Sequence, residues 1–342
     1  MKKNIYLVIC LFIFILMSGC SGMLDNTSTN GGVSEVVVEE SVEIKKNDGL
    51  TESKNAEDEK ELASKKENIT DITEKTSYPK RDSYFITIDE LKEKINSNEE
   101  LIIIDTRKTE KYNTSHIKGS INLMWEELSY APESKPHTVS DYGELFNVET
   151  LKRILANKGI AMDSEIVVYS DNYVNNNDMY RTVWSLEACG YENISILKDT
   201  YTSYALENET TNEVERIYSV TVNFYELNKR YLATVKDVGE EGYVIIDTRS
   251  KEAYKDGHIP GALSFPTEVL LNEKGNYKSQ SEIDTEMEIL DIGKDDSVIA
   301  YSDYGVKSAQ VTIILTEAGY NVKNYDGSIE EYFYDMGLPL VE

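Results

Sequence analysis

The chain repeats itself at long range. Ile102-Ile103-Ile104-Asp105-Thr106-Arg107, followed by His116-Ile117-Lys118-Gly119, returns as Val244-Ile245-Ile246-Asp247-Thr248-Arg249, followed by His258-Ile259-Pro260-Gly261. Asp247 lies 142 positions beyond Asp105 and His258 lies 142 beyond His116, so the register holds across both motifs. Solenoid repeats have periods of roughly 20 to 50 residues, so a period this long means duplication of a whole domain. At 342 residues the chain can build two domains of ordinary size, each able to bury a core. One architecture therefore has to form twice.

Each copy alternates short apolar runs with helical stretches. In copy one, Thr87-Ile88-Asp89-Glu90 is a capping-box pattern that opens a helix to about Ile95, and Leu101 to Ile104 reads as a buried strand. Ile166 to Tyr169 and Ile194 to Leu197 are further strands. A helix of about Asp178 to Ala188 lies between them and closes at Cys189-Gly190, where Gly190 is a plausible cap. Copy two repeats the plan, with Asn223 to Glu226 as the helix opening, strands at Tyr243 to Ile246, Val298 to Tyr301 and Val322 to Tyr325, and a helix of about Ser308 to Ala318 ending at Gly319. Short strands alternating with helices predict an α/β fold: two domains, each a central mostly parallel sheet flanked by helices.

The N-terminus has a different character. Lys2 and Lys3 precede an apolar run from Ile5 to Met17, too short for a comfortable membrane span, and this reads as an export signal. The run closes on Leu16-Met17-Ser18-Gly19-Cys20, which resembles a bacterial lipobox with Met17 where Leu is usual. That resemblance implies lipidation at Cys20 and a chain tethered to the cell membrane on its extracytoplasmic face. Two acyl signals would hold it firmly, since one chain gives only marginal anchoring. An ordinary cleaved signal or an uncleaved anchor is the alternative. Residues 21–80 are polar, with no aromatic before Tyr78, and read as a flexible stalk. The organisation expected is a signal peptide over 1–20, a linker over 21–80, domain one over 81–212 and domain two over 213–342.

Composition narrows the function. A net charge of -27 repels nucleic-acid phosphates and anionic lipid, so neither serves as a partner through charge. The three cysteines, Cys10, Cys20 and Cys189, stand in unrelated contexts and give no disulfide framework. In each copy Asp and Arg lie two apart at a strand end, on one side of the sheet, where an ion pair or loop cap is expected. His116 and His258 are expected to bond within their turns. With only His137 left, a metal cluster is unsupported, and no cofactor motif is present.

The ordered set of apolar strand, Asp-x-Arg, short helix with Tyr112 or Tyr254, and His-Ile-x-Gly closely resembles rhodanese domains. Asp326-Gly327 and Gly337-Leu338-Pro339 add to the likeness. It spans about residues 83 to 342 and is similar to the tandem thiosulfate or 3-mercaptopyruvate sulfurtransferases. In that family sulfur is carried as a cysteine persulfide at the start of a loop leading into a helix, where backbone N–H groups stabilise its charge. The corresponding stretch of copy two is Ser302, Asp303, Tyr304, Gly305, Val306, Lys307 and Ser308, with Ser302 in the nucleophile's place. In copy one Ser170 stands there. The loop after it is longer, since Ser170 to Gly190 spans 20 positions and Ser302 to Gly319 spans 17, and it carries Asn175, Asn176 and Asn177 but no Gly. A hydroxyl is not ionised near neutral pH without a base and forms no S–S bond, so serine cannot carry sulfane sulfur. Cys189 lies at the far end of its helix and reads as an apolar filler.

Three functions follow as expectations. The first is a catalytically inactive module that binds a small anion or an envelope protein, with the 302–308 loop as the anion site, although Asp303 opposes an anion there. The second is a thiosulfate or 3-mercaptopyruvate sulfurtransferase. The third is a serine hydrolase, which lacks a His in the loop to act as base.

Overall fold

The computed structural model describes residues 83–98, 100–131, 136–138 and 140–342. The expectations placed on residues 1–80, including lipidation at Cys20, lie outside that set. In copy one, β1 (Phe85–Ile86) leads into α1 (Ile88–Ser97). Its first turn closes with the expected capping box: the Thr87 hydroxyl accepts from the Glu90 amide at 3.2 Å and the Glu90 carboxylate accepts from the Thr87 amide at 2.7 Å. There follow β2 (Ile102–Asp105), α2 (Thr109–Thr114), β3 (His116–Ile117), β4 (Ser120–Asn122), a 3-10 turn (Trp125–Glu127) and α3 (Val148–Asn157). The copy finishes with β5 (Ile166–Tyr169), α4 (Asn177–Ala188), β6 (Ile194–Leu197), α5 (Tyr201–Glu207) and β7 (Thr210–Thr211). The sheet runs β1-β6-β5-β2-β4 with every pairing parallel. Its central strands read as unbroken apolar runs because both faces are covered.

Copy two repeats this plan with β8 (Leu232–Ala233), α6 (Val235–Val238), β9 (Tyr243–Asp247), α7 (Lys251–Asp256), β10 (Leu263–Ser264) and a 3-10 turn (Thr267–Leu270). Then come α8 (Gln280–Ile289), β11 (Ser297–Tyr301), α9 (Val306–Glu317), β12 (Asn321–Tyr325) and a π-helical turn (Glu330–Asp335). The order β8-β12-β11-β9-β10, again parallel, is that of copy one. The expected helix opening at Asn223 to Glu226 is not there. That stretch is irregular, and Val222 and Phe224 are buried in the core instead. The helix opens at Thr234, whose amide and hydroxyl both donate to Asp237 at 2.7 Å. Aspartate does here what a capping box usually asks of Glu or Gln.

The copies share a core. Helices α4 and α9 pack on each other, with Met179 to Ala188 buried throughout on one side and Ser308 to Leu315 on the other. A single cluster of buried apolar side chains runs from Trp184 and Leu186 to Val311 and Ile314. The outer faces keep clusters of their own, around Leu91 and Val167 in copy one and around Ile245 and Ile299 in copy two. After the 3-10 turn each copy sends out an excursion closed by one antiparallel bridge, Ser129 to Leu145 and Leu271 to Tyr277.

Candidate functional site

Both copies build the entry to their loop with the same hydrogen bonds. The Asp105 carboxylate accepts from Arg107 Nε at 3.0 Å and Nη2 at 2.6 Å, and Nη2 also donates to the Ser115 carbonyl at 2.7 Å. Asp247 and Arg249 repeat this with the Gly257 carbonyl. The expected ion pairs are therefore present, and they are spent on ordering the turn. The His116 Nδ1–H donates to the Tyr112 carbonyl at 2.8 Å and that of His258 to Tyr254 at 2.9 Å, each ring stacked on the tyrosine it bonds.

A tyrosine before each serine ties strand to loop. The Tyr169 hydroxyl donates to Asp105 at 2.6 Å and accepts from the Ile117 amide at 3.1 Å; Tyr301 does the same with Asp247 and the Ile259 amide. Burial and the adjacent carboxylate push both phenols far above their usual range, so they stay protonated donors. In the sequence these tyrosines read as strand ends with no further role, though the pairing of Tyr with Ser in both copies is the available signal.

In copy two the residues 302–308 form a short loop, 302–305, and the first turn of α9. Ser302 is 1% exposed and its Oγ accepts from the Gly305 amide at 3.1 Å and from the Ser308 hydroxyl at 3.2 Å. Gly305 sits at φ +77°, where a Cβ would come within 2.4 Å of the Asp326 carbonyl, so only glycine fits. Val306 and Ser308 are buried, Asp303 and Tyr304 half-buried, and Lys307 is exposed with Nζ 3.8 Å from Asp303. The loop's cation thus faces its own carboxylate. Arg181, reaching across from α4, donates to the Gly305 carbonyl at 3.2 Å and to the Gly143 carbonyl at 2.7 Å, and meets Asp326 at 2.5 Å in an ion pair. Nothing in the residue pattern marks Arg181, because its partners, Gly143 in its own copy and Gly305 and Asp326 in the other, are all distant in sequence.

In copy one Ser170 is buried, and the loop after it closes on itself. The Asn172 side chain bonds to Val174, Asn176 caps α4 through the Met179 amide, and Asn175 takes φ +52°. Tyr277, from the excursion of copy two, accepts from the Asn175 amide at 3.2 Å and lies against the Tyr173 and Tyr180 rings. Each copy therefore closes the other's loop. An open recess of about 300 Å³ on copy one is lined by Arg107, Glu110, Lys111 and Tyr201, but its cations Arg107 and Lys111 are paired with Asp105 and Asp171.

A family model described as the rhodanese-like domain matches residues 87–207 and 233–334. The chain belongs to the rhodanese family. One relative, from Haloferax volcanii and named "Putative thiosulfate sulfurtransferase", is 30% identical over 255 residues that cover 68% of this chain and 85% of that protein. Another of the same name, from Saccharopolyspora erythraea, is 25% identical over 283 residues covering 76% of this chain and 96% of that one. Among solved structures, SseA of Escherichia coli, described as a 3-mercaptopyruvate sulfotransferase, is 25% identical with a TM-score of 0.57, covering 72% of this chain and 98% of its own. The wild-type EanB structure, 17% identical, shares the fold at a TM-score of 0.61 over 75% of this chain and 68% of its own.

For a rhodanese-family chain the thiol inventory is short: among the described residues Cys189 is the one cysteine. It is 1% exposed and burial pushes its thiol well above the usual range, so it is not a thiolate. No group of His, Cys, Asp and Glu among the described residues is arranged to hold a metal.

Proposed function

We propose that this tandem rhodanese protein transfers no sulfur and serves as a membrane-tethered binding module for an envelope protein. The observation that carries the reading is Ser302, which the family resemblance aligns with the nucleophile: its side chain is an alcohol, enclosed, and committed to closing its own loop. Copy one repeats the substitution at Ser170. The geometry favours a protein partner over a small anion, since the Gly305 N–H is taken by Ser302 and Asp303 puts a carboxylate beside the loop's lysine. The names of the relatives support the competing reading, a sulfurtransferase, and one assay separates the two. The full chain in detergent, given thiosulfate and cyanide, is expected to release no thiocyanate above background. Turnover abolished by Ser302→Ala, or a persulfide on Cys189 found by mass spectrometry, would overturn the inactive reading.

The tether rests on the lipobox resemblance at Cys20. Cys20→Ala is expected to move the protein from the membrane fraction to the soluble extracytoplasmic fraction. Unchanged membrane association would remove the lipid anchor from the proposal.

A further inference from the structure

We propose that the segment Ser140 to Leu145 of copy one is a pH-released cover over the copy-two loop, seated firmly in acid and loosened as the medium turns neutral to mildly alkaline. Such a cover governs access to the loop whether or not that loop is catalytic.

The seat is close and specific. Gly143, at φ +90°, meets the Tyr304 backbone so tightly that a Cβ would lie 2.6 Å from the Tyr304 carbonyl oxygen. The Tyr142 ring stands edge-on to Tyr304 at 5.3 Å, and the Leu145 amide donates to Asp326 at 2.9 Å. The Gly143 amide returns to the Tyr130 carbonyl at 2.7 Å. In the same stretch as Tyr304, Ser302 and Ser308 are enclosed.

Between Gly143 and Leu145 stands Glu144, half-buried among like charges. Asp326, Glu331 and Asp335 face it from copy two and Asp141 from its own segment, with the Tyr325 phenol in the same field. Arg181 pairs with one member of this group, Asp326. His137, farther along the excursion, is engaged with Glu330 at 2.5 Å. Burial first, and then these carboxylates, push the Glu144 carboxyl up to about 8. Burial and the same acidic neighbours also raise Glu331.

The sign follows from linkage. Seated, Glu144 keeps its proton; lifted into water, it ionises near its ordinary value of 4.5. Below that value the proton is bound in both states and the seat is at full strength. Between 4.5 and about 8 lifting releases a proton, so each pH unit raises the lifted population by up to about tenfold. Above that window the effect levels off.

Amide hydrogen exchange on the full chain, corrected for intrinsic exchange, reads the lifting directly. From about pH 5.5 to 7.5 the protection factors of the Gly143 and Leu145 amides are expected to fall by about tenfold or more, with strand amides of Val167 and Ile299 unchanged. In Glu144→Gln the fall should shrink to about twofold or less. Gly143→Ala, which cannot take the seat, should leave the Leu145 amide poorly protected at both pH values. Protection that does not change with pH in the parent chain, a fall that persists in Glu144→Gln, or full protection in Gly143→Ala would each overturn the proposal.

Discussion

At position 181 a fully enclosed guanidinium touches both copies at once, through Ser129, Gly143, Gly305 and Asp326. Arginine suits this place because its planar fork serves several carbonyl and carboxylate acceptors and keeps its charge when buried. The matching residue of copy two is Gln310, as each stands nine positions before its helix-ending glycine, Gly190 or Gly319. Gln310 is also fully buried, and neither of its amide atoms has a hydrogen-bond partner among the described residues. The duplicated position has thus diverged: one copy ties the junction and the other does not. Removing one member of a buried pair strands the other, so Arg181→Met should lower unfolding free energy by about 3–5 kcal/mol in urea titrations. Combined with Asp326→Asn, the losses should couple by on the order of 1 kcal/mol or more. Additive losses would mean the two side chains do not act as a pair.

The elements differ in how openly the residues announce them. Central strands such as Ile166–Tyr169 and Ser297–Tyr301 are apolar runs bounded by polar turns, and the expected and observed spans nearly coincide. Long helices were equally legible, with α4 ending at Ala188 as expected. The one-turn helix near the start of copy two is less open. Val235–Val238 spans barely a turn, and its cap uses Asp237, while Asn223 to Glu226 offers a more familiar pattern and forms no helix. Four residues hold too little local energy to declare themselves, and burial of Phe224 decides the path of the chain there. The two loop-to-helix starts also diverge. Helix α9 opens from a left-handed glycine braced by a serine hydroxyl, whereas α4 opens from an asparagine side chain. The Asn-rich stretch of copy one therefore makes a self-bonded turn where copy two makes a ring around Ser302.

On the scale of the whole molecule, the two sheets are joined by a common apolar cluster through α4 and α9. Domains with separate cores unfold in separate steps; a shared core couples them. Calorimetry of the chain is accordingly expected to show a single transition for the two rhodanese domains, and two resolved peaks would show that the junction adds little. The sequence by itself determined the duplication, the α/β class, the parallel strands, the Asp-Arg pairs and the serine at each loop. All of these are written in local patterns or in the fixed spacing of 142 between Asp105 and Asp247. Only the tertiary structure decided that Arg181 reaches Gly305, that Tyr277 closes the copy-one loop, and that Gly143 and Glu144 lie over copy two. Those contacts join residues more than a hundred positions apart, and their energy exists only once packing excludes water from the junction, so no window of neighbouring residues can carry the signal.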